Sequence, residues 1–132
     1  MHFVGYAMIY GIGSDIVAIA RVARIWGNYG ESFAARILAE DELAEFRTST
    51  QPARFLAKRF AAKEAFAKAA GTGLRSPVSL RNISVAHSVL GRPELRFQPA
   101  LADWLQAQGI RAQHLSISDE TDMALAYVVL ES

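Results

Sequence analysis

No cysteine occurs among the 132 residues. That excludes disulfide staples, thiol nucleophiles and thiolate-zinc centres, and it agrees with a reducing, cytoplasmic setting. No apolar run approaches the roughly 18 residues a membrane-spanning helix needs, so no membrane partner is expected. The opening stretch MHFVGYAMIY lacks a basic start and a cleavage signal, so no secretory leader is expected either. Net charge is scarce as well, at +1, and gives no whole-molecule pull toward nucleic acid. The three histidines, His2, His87 and His114, have no metal-ligand spacing and read as ordinary.

Apolar residues are plentiful, at 52%, enough for one core and more than a small monomer needs. The length fits one domain, 1–132, with residues 1–7 as a possible N-terminal extension. The apolar excess hints that part of the surface is covered by another subunit. Charge is segregated along the chain. Between Arg54 and Arg75 six basic residues (Arg54, Lys58, Arg59, Lys63, Lys68 and Arg75) surround one acid, Glu64. Between Glu31 and Glu45 five acids accompany only Arg36. The basic block suits an anionic ligand. It is equally consistent with two solvated faces, or with blocks that face each other.

The periodicity predicts a strand over Met8–Ile12, a turn at GIGSD, and a helix over Ile16–Asn28 capped by Ser14 or Asp15. A weak helix over Glu31–Leu38 and a short acidic one over Glu40–Arg47 follow. Pro52 opens a long helix that runs to Ala70 and stops at Gly71. Residues 75–82 read as loop. Two strands, Asn82–Leu90 and Glu94–Gln98, flank GRP. A helix from Pro99 to Gly109, a strand over His114–Ser118, a polar turn and a final strand over Met123–Glu131 complete an α+β pattern: an antiparallel sheet packed with one long and several shorter helices.

Two constellations carry chemistry. On the long helix Glu64 and Lys68 lie about 40° apart, one turn from each other, with Gly71 on the same side. An exposed ion pair worth about 0.3–0.5 kcal/mol explains that spacing as well as a site does. The GTG at 71–73 follows its helix and so stands at the negative end of the dipole. Phosphate-cradling loops precede theirs, and the simpler reading of Gly71 is a left-handed C-cap. In GIGSD, position 16 is isoleucine, so GxGxxG is not met. A turn before an N-cap is one reading. The other pairs Asp15 with a distant carboxylate, Glu64 being the candidate, around Mg²⁺ completed by water and phosphate oxygens.

GIGSDIVAIARV and FLAKRFAAKEAFAKAAGTGL together, about 50 residues apart, resemble the holo-acyl-carrier-protein synthases, small bacterial 4′-phosphopantetheinyl transferases. The closing SISDETDMALAYVVLE is similar to that family's final hairpin. The resemblance implies transfer of phosphopantetheine from coenzyme A to a serine of apo-acyl carrier protein, releasing adenosine 3′,5′-bisphosphate, in support of fatty acid biosynthesis. It implies Mg²⁺ dependence and a homotrimer with sites between subunits. It assigns Asp15 and Glu64 to the metal and, with Lys68, to catalysis. Arg59, Lys63, Lys68, Gly71 and Thr72 match the coenzyme A contacts, and Arg21 and Arg24 the carrier dock. The proton acceptor is Glu64 through an intervening water, or another acid such as Asp119, which stands where many members carry histidine. Another Mg²⁺-dependent phosphotransferase, or a module that binds coenzyme A without turnover, explains one motif or the other but not both.

Overall fold

The structure is a computed structural model, and it describes residues 7–132. His2 and all but the last residue of the possible extension lie outside the described residues. Strand β1 (Ile9–Ala18) leads into helix α1 (Ile19–Tyr29), then α2 (Glu31–Ile37), α3 (Glu40–Arg47) and the long α4 (Pro52–Ala70). A 3₁₀ turn at Leu80–Asn82 precedes β2 (Ile83–His87) and β3 (Pro93–Phe97). Helix α5 (Pro99–Ala107) and strands β4 (Ala112–Asp119) and β5 (Met123–Glu131) follow. Two antiparallel sheets form, one in the order β1-β5-β4 and one the hairpin β2-β3. The α+β expectation holds.

Alternation sets the sheet faces. On β5, Ala124, Ala126, Val128 and Leu130 are buried, whereas Leu125 and Tyr127 point outward. On β1, Tyr10, Ile12 and Ile16 point outward, and Gly13 and Val17 lie inside. The inner face rests on α4, which is buried nearly all round: Leu56, Ala57, Ala61, Ala62, Ala65, Phe66, Ala67, Ala69 and Ala70 are all in the core. Its alanines let elements approach on every side. The β2-β3 hairpin closes over Phe66, whose ring centroid is 5.1 Å from that of Phe97.

The expected turn at GIGSD is instead the middle of β1, and its glycines have a different purpose. A Cβ on Gly11 would fall 1.9 Å from Ala69 O, and one on Gly13 would fall 2.0 Å from Ala65 O. The strand lies directly against the helix backbone, and only hydrogen fits between them. Helix α1 accordingly starts at Ile19 rather than Ile16. Neither Ser14 nor Asp15 caps it: Ala18 occupies the cap position without a side-chain bond, and Ile19 N donates to Asp122 O at 2.9 Å. Gly71 does close α4 as a left-handed C-cap, with φ of 80° and its N–H on Lys68 O. We predict that Gly13→Ala destabilises the fold by roughly 3 kcal/mol or more, at or beyond the upper end of overpacking costs, because rigid backbone must shift. Urea denaturation measures it, with Gly27→Ala, which meets nothing within 4 Å, as the control.

Candidate active site

Asp15 points from the inner face of β1 toward the last turns of α4, a placement made by the glycine contacts just before it. Lys68 Nζ donates to Ser14 O at 2.9 Å and to Asp15 Oδ1 at 3.1 Å. Glu64 lies one turn earlier on the same side. Partial burial raises its carboxyl above the ordinary range; the charge of Asp15 raises it further, and Lys68 opposes both. The two carboxylates are therefore near enough to feel each other's charge, with Lys68 beside them, its side chain 55% exposed. Just beyond, the Thr72 hydroxyl donates to Gly73 O, and Gly71 and Thr72 border a cavity of about 330 Å³ walled by Arg75, Pro77 and Trp104. The structure thus brings Asp15, Glu64 and Lys68 together as a rim, and Gly71 and Thr72 follow at the end of the same helix, beside a cavity that those three do not line.

Two charges that repel, both offering hard oxygens, fit a small divalent cation. Among the described residues no group of three or more His, Asp or Glu side chains converges on a metal position. The protein supplies two carboxylates, and the remaining positions would be left to water and phosphate.

Arg59 and Lys63 do not join this rim. They turn inward and are spent on structure. Lys63 is 0% exposed. Its ammonium donates to Ile37 O at 2.7 Å, Leu80 O at 2.9 Å and the Glu42 carboxylate. Burial lowers its affinity for a proton, and Glu42 opposes that shift. Arg59 donates to Glu42 Oε2 at 3.0 Å, Glu45 Oε2 at 3.1 Å and Val85 O at 3.3 Å, with its guanidinium over the Phe55 ring. Both head groups are held in buried ion pairs, and Arg59 also borders a cavity of about 250 Å³ lined with Arg54, Lys58 and His87; their assignment to coenzyme A rests on the family resemblance.

The residue that sequence reasoning missed is Glu42, 2% exposed. Its carboxylate accepts from Ala39 N, Val85 N, Lys63 and Arg59. The only signal for it was the acidic block lying opposite a basic one; the two blocks do face each other.

Toward the start of α4 a third cluster forms. Asp119 Oδ2 accepts from Arg54 at 2.7 Å, and Asp119 Oδ1 lies 3.5 Å from Lys58. The hydrogen bond from Arg54 holds the Asp119 carboxyl below the usual range, which makes it a poor proton acceptor. Arg21 and Arg24 are exposed on α1, with no acidic partner within ion-pair distance among the described residues.

Residues 11–128 match the model of the 4′-phosphopantetheinyl transferase superfamily. The chain belongs to that superfamily. A holo-[acyl-carrier-protein] synthase of Neisseria meningitidis serogroup C is 56% identical over 124 residues, spanning 94% of this chain and 99% of its own. The crystal structure of the Neisseria meningitidis synthase superposes with a TM-score of 0.92 at 55% identity, covering 95% of this chain and 100% of that one. A Bacillus anthracis holo-(acyl-carrier-protein) synthase in complex with CoA (3′,5′-ADP) gives 0.77 at 37% identity, covering 95% and 98%. This member of the phosphopantetheinyl transferases thus shares its whole described fold with proteins named for that reaction.

The ion pairs of Asp119 generate a pH prediction. A carboxyl lowered in the folded state stabilises above its unfolded pKa of about 4, and that contribution disappears as pH falls through the folded value. Asp119→Asn should therefore cost roughly 1 kcal/mol or less at pH 7, and the gap from wild type should close below about pH 4 in urea melts across pH.

Proposed function

We propose that the chain is a holo-acyl-carrier-protein synthase, transferring 4′-phosphopantetheine from coenzyme A to a serine of apo-acyl carrier protein and releasing adenosine 3′,5′-bisphosphate. The observation that carries this reading is the meeting of Asp15 with Glu64 and Lys68, side chains about 50 residues apart in sequence, in a chain so similar to proteins of that name. The described residues act as one catalytic unit.

Asp15 and Glu64 would hold Mg²⁺. When bound there, the cation supplies charge neutralisation for the pyrophosphate. Lys68, exposed beside the same carboxylates, presents its ammonium to a phosphate oxygen. Gly71 and Thr72 leave an open rim for the donor. The carrier serine oxygen attacks the β-phosphorus in line; the new O–P bond forms as the bond to the leaving bisphosphate breaks. The serine proton passes to an acceptor on the enzyme. With Asp119 held by Arg54 and Lys58, that role falls to the carboxylates at the rim, Glu64 foremost.

The outer face of the β1-β5-β4 sheet supports assembly. Ile12 and Ile16 are 56% and 58% exposed, and Tyr10, Leu125 and Tyr127 join them in an apolar face that water disfavours. A homotrimer, as the family resemblance implies, would cover it and place sites between subunits. Arg21 and Arg24 would receive the acidic carrier. None of the described helices is long and apolar enough to cross a membrane. The family resemblance implies work in the cytoplasm, supplying carrier for fatty acid synthesis.

Incubation with coenzyme A, Mg²⁺ and apo-carrier should raise the carrier's mass by one phosphopantetheine; an unmodified carrier would overturn the proposal. Asp15→Ala and Glu64→Ala should each lower turnover roughly a hundredfold or more, the scale of losing one charge-stabilising group. Circular dichroism should show both variants folded. Reversing Arg21 and Arg24 to glutamate should raise the carrier KM, most at low salt, with the coenzyme A KM unchanged.

A further inference from the structure

One corner of the fold ties the start of α4 to the start of α1. Arg54, in the first turns of α4, donates from all three guanidinium nitrogens. Its Nε donates to Gln51 Oε1 at 3.0 Å. Its Nη1 donates to Asp119 Oδ2 and to Glu120 O, both at 2.7 Å, and its Nη2 donates to Thr121 O at 3.1 Å. Three of these acceptors belong to the end of β4 and the turn that follows it. The next residue of that turn, Asp122, accepts from Ile19 N at 2.9 Å. Ile19 is the first residue of α1.

That bond matters because α1 begins poorly. A helix leaves its first N–H groups without internal partners, and a side-chain cap or an early acid ordinarily answers them. Here Ala18 provides no cap, and the first turn of α1 holds no acid. A turn carbonyl does the work instead. Arg21 and Arg24 are the third and sixth residues of this helix, so the end tied to the turn is the end that presents them. Apolar contacts also hold this helix: Ile19 packs on the core, Val22 is buried and Trp26 packs edge-on against Phe46, so the turn carbonyl supplies the polar part of the anchor at the first turn.

We infer that Arg54 is a positioning residue for carrier docking: by clamping the β4–β5 turn it fixes the first turn of α1, and with it the direction of Arg21 and Arg24. The inference rests on the carrier-docking reading of those arginines. The clamp needs a planar fork. A lysine ammonium at position 54 keeps the charge and cannot reach four acceptors spread along such a fork.

The test uses the full chain with Arg54→Ala and Arg54→Lys, the latter retaining charge and stem should the alanine variant fold poorly. Hydrogen exchange read by mass spectrometry should show faster exchange across the first turn of α1 in both variants, with the α4 core unchanged. The carrier KM should rise roughly fivefold, while kcat and the coenzyme A KM stay within about twofold. Several results would overturn the clamp. They are unchanged exchange at α1, full rescue by lysine, or a raised coenzyme A KM with an unaltered carrier KM, which would place Arg54 on the donor. If the wild-type chain itself fails to modify the carrier, the transferase reading falls, and the exchange data still decide whether Arg54 holds α1.

Discussion

The approach of β1 to α4 is the constraint on which the rest of the molecule turns. Two backbones lie so close at Gly11 and Gly13 that a single methyl group on either would collide with a helix carbonyl. The contact brings the next inward residue of the strand, Asp15, to the level of Glu64 and Lys68. A larger residue at either glycine would lift the strand and carry Asp15 away from its partners. It also explains the alanines of α4, which must admit a strand on one side and a hairpin and helices on the others. Position in the fold and position in the site are thus set by the same absence of side chains.

The second organising feature is how the cations of α4 are divided. A helix with five basic residues reads as a cationic surface, yet its faces meet different fates. Arg59 and Lys63 point inward and pair with Glu42, Arg59 with Glu45 as well, and the Glu42 carboxylate also accepts two backbone N–H groups. Charges removed from water are tolerable only when every donor and acceptor finds a partner, and among the described residues no buried side-chain polar atom lacks one. Arg54 and Lys58 engage Asp119. Lys68 alone sits beside the two carboxylates of the rim. The set of α4 cations left outside an ion pair with Glu42 or Asp119 is therefore smaller than the composition suggests.

Much of the architecture is legible in the sequence, since local chemistry and tertiary packing agree there. The bounds of α3, the proline start and glycine stop of α4, and the alternation of β5 all follow from caps and periodicity. The region around GIGSD is not legible in this way. Glycines are ordinarily turn formers, and nothing local to residues 11–15 reveals a helix pressed against them. Glu42 is hidden for a similar reason: within EDEL it is one acid among several, and only the fold selects which of them is enclosed.

The residue types therefore decided the α+β pattern, the family and the pair of acids at 15 and 64, because spacing, capping and motif identity are properties of the chain itself. Only the tertiary structure decided which cations are buried and which stand beside the two carboxylates, that Gly11 and Gly13 are contact points rather than a turn, and that Arg54 bonds the turn whose Asp122 carbonyl accepts from the first residue of the helix bearing Arg21 and Arg24. Each of these depends on groups far apart in sequence meeting at van der Waals or hydrogen-bond distance, and a linear pattern holds no record of such a meeting.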